Sequence, residues 1–286
     1  MSKKVIIASD STCDLSPELI EHYGIRIIPL GVTLSDKSYK DGVDMDPDTI
    51  YRHYEETGEL PKTAAINIDE AMAFIASLKE EGEGVVFFTI SSDMSSTFQN
   101  ARLAAGGFED VHVVDSRNLS TGIGLQVLRA ARLAEEGKSA AEIATECEAL
   151  CDRVDASFVV DDLEFLHKGG RCSALAAFGA NLLQLKPCIV VKGGKMGVDK
   201  KYRGKYGMIL PKYIAERLGD GSDVEGDTVF VTHAGCDEAI VNACVEKVKS
   251  LGYFKEIHVT RAGCTISSHC GRNTLGVLFI RKNPII

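Results

Sequence analysis

Residues 85–101, VVFFTISSDMSSTFQNA, set five hydroxyl side chains between an apolar run and a segment able to form a helix. The run 85–90 is β-branched and aromatic without polar alternation, so it predicts a buried parallel strand. A helix is expected from about Thr97 onward. Ser91, Ser92, Ser95, Ser96 and Thr97 therefore sit where a strand's carboxyl end hands over to a helix. In an open α/β sheet that is the ligand-binding edge. The free N–H groups and positive dipole end of the helix favour an anion there. Helix capping accounts for one or two of these hydroxyls, and five favour a ligand site.

The flanking sequence repeats the same architecture. Residues 4–8 predict a first strand, followed by the polar loop Ser9-Asp10-Ser11-Thr12-Cys13-Asp14. Ser16-Pro17 and Asp46-Pro47 each open a helix with a cap and a first-turn proline. Residues 25–32 predict one strand, and 59–66 an irregular segment. Asn67 with Glu70, and Ser139 with Glu142, have capping-box spacing. A short strand is expected over 111–115 and a long helix over 120–136. Gly137-Lys138-Ser139 is not a P-loop, because position 132 is Arg and no strand leads into it. No G-x-G-x-x-G follows the first strand, which argues against a dinucleotide. Alternating strands and helices make 1–155 a parallel α/β domain.

The pattern changes past residues 157–160. Residues 161–173, DDLEFLHKGGRCS, combine a short helix with a Gly-Gly-Arg turn. Residues 174–183 predict a helix of largely small apolar residues, which would leave room beside it for another helix or, less favoured, for an alkyl chain. A β-hairpin is expected over 187–202. Lys200, Lys201, Arg203 and Lys205 form a basic cluster, either a solvated face or a docking patch. A helix over 207–218, a strand over 228–233, a helix over 237–251 and strands over 256–261 and 275–281 complete a second domain, 156–286. A cleft is expected between the halves.

Charge and composition narrow the function. With 32 Lys and Arg against 41 Asp and Glu, the net charge of −9 argues against a nucleic-acid binder. No apolar run approaches the ~18 residues of a membrane span. Asp10 interrupts the first apolar run too early for a signal peptide, so the expected location is the cytoplasm. The nine cysteines are scattered without a Cys-x-x-Cys pair and are read as buried, reduced thiols rather than zinc ligands or disulfides.

Six blocks together resemble the DegV proteins, a family that binds fatty acids. They are Ser9–Leu15, Ile90–Ala101, Asp115-Ser116 with Ser120-x-Gly122-x-Gly124, Asp162–Leu166 with Gly169–Ser173, His233-Ala234-Gly235, and Ser268–Gly271. The resemblance implies a Rossmann-like N-terminal α/β domain, a C-terminal α/β sandwich domain, and a fatty acid held between or beside them. It implies a non-catalytic carrier, without a cofactor, that presents a long-chain fatty acid to a separate ATP-using fatty acid kinase subunit. Carried over by position, Thr63 and Ser95 match the residues that hold the carboxylate, with a backbone N–H nearby. His269 matches a histidine close to the head group, and Arg171 and Arg203 match positive residues near the cleft mouth. Ser96 stands where the family usually has Gly, constraining the turn or adding a donor. Ala64-Ala65-Ile66-Asn67, Phe98 and Arg272-Asn273-Thr274 also depart from the family pattern.

Two other functions are compatible with the residue types. Ser95 or Ser92 as nucleophile, with His269 or His233 as base and Asp115 or Asp10 as orienter, would make a serine hydrolase acting on a lipid or acyl ester. No G-x-S-x-G elbow supports it. An interaction protein without ligand would fill its interior with side chains, so an apolar tunnel argues against it.

Overall fold

Four strands, β1 (Val5–Asp10), β2 (Arg26–Ile28), β6 (Gly84–Thr89) and β7 (Val111–Asp115), form an all-parallel sheet in the order β2-β1-β6-β7 in the computed structural model, which describes residues 5–172 and 185–285. All six residues of β6 are buried, as its unbroken apolar pattern requires. Helices α3 (Ile68–Glu81) and α4 (Thr97–Ala105) cover one face. Helices α5 (Thr121–Glu135) and α6 (Ala140–Leu150) cover the other. The chain leaves β1 for β2 on one side and returns to β6 on the other. The switch point is therefore between β1 and β6, where doubly wound sheets open a crevice.

A second, mostly antiparallel sheet has the order β10-β9-β8-β13-β11-β12. Its strands are β8 (Val154–Val160), β9 (Leu185–Lys192), β10 (Lys195–Arg203), β11 (Val224–Ala234), β12 (Glu256–Arg261) and β13 (Thr274–Arg281). Only β11 and β12 pair in parallel. Helices α8 (Tyr206–Leu218) and α9 (Glu238–Leu251) cover its outer face. Its inner face packs on α5, so one hydrophobic core runs from Val86 and Phe88 through Ile123 and Val127 to Phe158 and Leu278. Eleven of the fifteen residues of α5 are buried, as expected for a helix enclosed between two layers. Gly124 lets α5 approach the first loop: a Cβ there would lie 2.9 Å from Leu15 and 3.0 Å from the Cys13 carbonyl.

A third sheet, β4-β3-β5, is small: β3 (Gly31–Leu34), β4 (Lys37–Lys40) and β5 (Lys62–Ala64). With α2 (Pro47–Thr57), α7 (Glu164–Lys168) and α10 (Cys264–Cys270) it encloses a separate core around Val32, Tyr51 and Phe165. Helix α1 (Pro17–Tyr23) starts on its Ser16 cap, and both capping boxes form.

Three expectations change. Residues 25–32 are two strands in different sheets, because Pro29 has no N–H for a ladder and the Leu30 N–H goes to the Ser11 hydroxyl at 3.1 Å. Residues 62–64 are not irregular: they pair with β3, with Thr63 opposite Val32. Helix α10 was not anticipated, since CTISSHC is poor in strong helix formers. The helix expected over 174–183 lies outside the described residues.

Candidate functional site

The site is built on the loops at the switch point. The Ile90 N–H donates to Asp10 Oδ2 at 2.8 Å, tying the loop after β6 to the loop after β1. Asp10 also accepts from the N–H and hydroxyl of Thr12. Asp10 is fully buried, and burial pushes its carboxyl up to about 6 against these hydrogen bonds.

Helix α10 reaches this crevice from the second half of the chain, and distant carboxylates hold its start. Asp41 Oδ1 accepts the Cys264 N–H at 2.7 Å, and Oδ2 accepts the Thr265 N–H at 3.0 Å. Asp14 Oδ1 accepts the Gly263 N–H at 2.8 Å, while its Oδ2 takes the Ser120 hydroxyl. Burial raises Asp14 well above the usual carboxylate range. Orphan N–H groups that α10's own sequence leaves open are thus satisfied by residues more than 200 positions away. A Cβ at Gly263 would stand 3.1 Å from Asp14 and 3.2 Å from Asp41, so glycine suits the convergence.

Near its other end α10 carries His269. His269 Nε2 lies 2.8 Å from Thr63 Oγ1 on β5. Its Nδ1 has no hydrogen-bond partner and faces Gly169, where a Cβ would come within 2.6 Å. Burial first, then the Arg171 charge, lowers His269 to about 4, so the imidazole is neutral at neutral pH.

Thr63, Ser95, Arg171 and His269 all line one partly open cavity. The rest of its wall is largely apolar, including Leu30, Ile90, Met94, Leu119, Met196 and Ile266. A second pocket shares Leu119, Ile266 and Cys270 with it and reaches Phe158 and Leu278 of the second sheet. The layout, a largely apolar space lined by a few polar groups, resembles that of small-molecule sites.

The hydroxyl loop divides its labour differently from the sequence expectation. Ser95 lines the cavity, and its Oγ accepts the Thr97 N–H at 3.2 Å and pairs with Thr97 Oγ1 at 2.9 Å. The Ser91 hydroxyl instead donates to the Gly194 carbonyl at 2.8 Å. Ser92 accepts from Arg117. Ser96 is exposed, with φ −77° and ψ 0°, a conformation that needs no glycine, and it does not line the cavity. Arg203 is also exposed, at the end of β10, away from the cavity wall. Arg171 is exposed at the rim and donates to the Gly169 carbonyl at 2.8 Å.

The turn between β9 and β10 clasps the hydroxyl loop. Arg117 bonds the Gly193 carbonyl and pairs with Asp93 at 2.8 Å. Gly194 has φ +83°, and a Cβ there would lie 2.6 Å from Ser91 Oγ. The hairpin thereby brings Met196 to the cavity wall. Sequence reasoning missed Asp41, Asp14, Met196 and Thr265. No local pattern marks Asp41 or Asp14, because the groups they cap are remote in sequence. All nine cysteines are free, seven of them buried. Among the described residues no helix is long and apolar enough to cross a membrane.

Fold and cavity define an α/β protein with a partly open, largely apolar cavity lined by a few polar side chains. The DegV family model, described as an uncharacterised protein family, matches residues 4–282, and the chain belongs to that family. A DegV domain-containing protein of Clostridium acetobutylicum is 33% identical over 282 residues, covering 98% of this chain and 99% of the relative. A DegV family protein from Thermus thermophilus, described by its fatty acid binding, has a TM-score of 0.89 at 32% identity, covering 97% of this chain and 99% of that one. DegV from Bacillus subtilis, described as a fatty acid binding protein, has a TM-score of 0.85 at 28% identity, covering 98% and 100%.

Proposed function

We propose that this chain binds a long-chain fatty acid and presents its carboxylate to a separate ATP-using kinase subunit. One observation carries the binding reading: Thr63, Ser95, Arg171 and His269, from both halves of the chain, line one otherwise largely apolar cavity. The fatty-acid binding described for the Thermus and Bacillus proteins supports it. The proposed division into domains 1–155 and 156–286 puts Thr63 and Ser95 in one and Arg171 and His269 in the other.

The chemistry runs as follows. Neutral His269 donates its Nε2 proton to Thr63 Oγ1, which turns the Thr63 hydroxyl proton toward the ligand carboxylate. Ser95 supplies a second hydroxyl. Each buried methylene contributes about 0.8 kcal/mol, so a chain of ~16 carbons supplies roughly 10 kcal/mol before binding costs. The tail provides affinity and the hydroxyls fix orientation. Hydroxyl donors leave the carboxylate more reactive than a bidentate arginine would. At the rim, Arg171 faces the incoming phosphate. A carboxylate oxygen attacks the γ-phosphorus of kinase-bound ATP, the bond to the β-phosphate bridge breaks, and ADP leaves an acyl phosphate in the cavity. Ser96 and Arg203 stand outside the cavity, and Arg203 falls with Lys200, Lys201 and Lys205 on the docking face in this proposal.

The serine hydrolase reading is not favoured by the contacts. His269 Nε2 faces Thr63 rather than Ser95, no carboxylate orients its Nδ1, and Ser95 is paired with Thr97.

Calorimetry on delipidated protein tests the binding reading. A double Thr63→Val, Ser95→Ala variant should bind hexadecanoate about tenfold or more weakly, since a hydrogen bond to a charged group contributes ~1.5–3 kcal/mol. Unchanged affinity refutes the head-group assignment. Acyl phosphate should form from labelled ATP only after a fatty acid kinase subunit is added, and its formation by this chain alone contradicts the carrier role.

A further inference from the structure

We infer that Ser120 is a positioning residue of the acyl site: it takes a strained backbone so that its hydroxyl can hold Asp14 against the start of α10. This inference rests on the fatty-acid reading above and adds a residue that acts on the head-group site from a distance. Its basis is a conflict at Ser120. The residue stands at the N-cap of α5 with φ +51° and ψ −144°. A serine there ordinarily keeps an extended backbone and caps the helix with its side chain. Ser120 does neither. Its side chain makes no capping hydrogen bond, and its backbone lies beside a region that glycine alone visits freely.

Both flanks of Ser120 are pinned, which fixes the strain in place. On one side the Asn118 carbonyl accepts the Ser91 N–H at 2.9 Å, and the Asn118 amide donates to the Val154 carbonyl at 3.3 Å. On the other side the Ser120 carbonyl accepts the Ile123 N–H at 2.9 Å, and α5 is seated against the first loop through Gly124. The hydroxyl turns away from the helix and donates to Asp14 Oδ2. Both residues are buried, so little water competes for that bond.

Asp14 passes the constraint on. Its Oδ1 accepts the N–H of Gly263, the N-cap of α10. The carboxyl group is planar, so a hydrogen bond on Oδ2 sets where Oδ1 points. Asp41 holds the next two N–H groups of α10, and the Ser11 hydroxyl orients it in the same way at 3.1 Å. Each carboxyl group thus has one serine behind it, and of these two serines only Ser120 takes a positive φ. From Gly263 to His269 is about two helical turns, so a shift at the start of α10 reaches the imbedded contact of His269 with Thr63.

The test compares Ser120→Gly with Ser120→Ala. Both remove the hydroxyl, but only glycine relaxes the backbone, so Ser120→Gly should unfold at a higher temperature than Ser120→Ala by about 2–4 °C. Calorimetry on delipidated protein should find hexadecanoate bound about tenfold more weakly by both, the scale of one lost hydrogen bond to a charged group. Nitrogen NMR of histidine-labelled protein adds a readout that stability alone does not move. The imidazole resonances of His269, assigned by their loss in His269→Gln, should shift in both variants. Wild-type affinity in Ser120→Gly overturns the inference, because the hydroxyl then has no role in the site. Weaker binding with His269 resonances at wild-type positions also overturns it, because the loss then does not run through α10. If wild type takes up no hexadecanoate, the fatty-acid reading itself fails, and the His269 resonances still decide whether Ser120 positions α10. Uptake at equal affinity by wild type and both variants fails this inference alone.

Discussion

Replacing Asp41 by alanine should loosen α10 and weaken the site at a distance. Asp41 is 4% exposed and accepts three hydrogen bonds, from the Ser11 hydroxyl at 3.1 Å and from the N–H groups of Cys264 and Thr265. Losing a cap costs about 0.5–2 kcal/mol. Each buried N–H left without a partner costs about 1–3 kcal/mol. The two overlap, so the expected destabilisation is about 2–4 kcal/mol, a large share of the ~5–15 kcal/mol typical of a native protein. Asp41→Asn keeps one acceptor oxygen and should fall between wild type and alanine. Urea unfolding measures the stability, and titration with hexadecanoate measures the site. Because α10 carries His269 toward Thr63, the alanine variant should lose affinity although residue 41 does not line the cavity. A loss under about 1 kcal/mol with unchanged affinity refutes the argument and leaves packing alone to hold α10.

Two buried groups should oppose each other in acid. Asp10 is raised from 3.8 to about 6, so it favours the folded state at low pH and that contribution is lost as pH rises through 6. His269 is lowered from 6.5 to about 4, so its contribution is present above 6.5 and lost as pH falls through 4. Each amounts to about 3 kcal/mol at 1.36 kcal/mol per pH unit. Asp10→Asn should therefore lose stability more steeply than wild type between pH 6.5 and 4, and His269→Gln less steeply, by thermal unfolding at stepped pH; parallel curves contradict both assignments. Gly194→Ala should cost about 1–3 kcal/mol, because its positive φ is strained for alanine and its Cβ would strike Ser91 Oγ. Denaturation at wild-type midpoints would show that the hairpin does not clasp the loop. Ser91→Ala should lower stability through the same contact while leaving hexadecanoate affinity near wild type.

Local signals were legible in the sequence and remote pairings were not. Ser16-Pro17, Asp46-Pro47, Asn67 with Glu70 and Ser139 with Glu142 each specify a helix start within four residues, and each start forms. The buried run leading to Ser91 likewise marks its own strand. As carboxylate-site residues, Thr63 and His269 were named only through family resemblance. Their contact spans 206 positions and depends on α10, whose start is stabilised by Asp14 and Asp41 rather than by its own residues. The hydroxyl count around Ser91–Thr97 pointed to the right loop, but only Ser95 lines the cavity. Ser91 serves the hairpin and Thr97 pairs with Ser95. Pro29 was the unread signal that splits 25–32 into two strands.

Native mass spectrometry of the purified protein, followed by denaturation and identification of released small molecules, tests the central claim most directly. The account predicts one long-chain fatty acid per chain, retained by wild type and depleted in the Thr63→Val, Ser95→Ala variant. An empty protein that also fails to take up added hexadecanoate or oleate would contradict it.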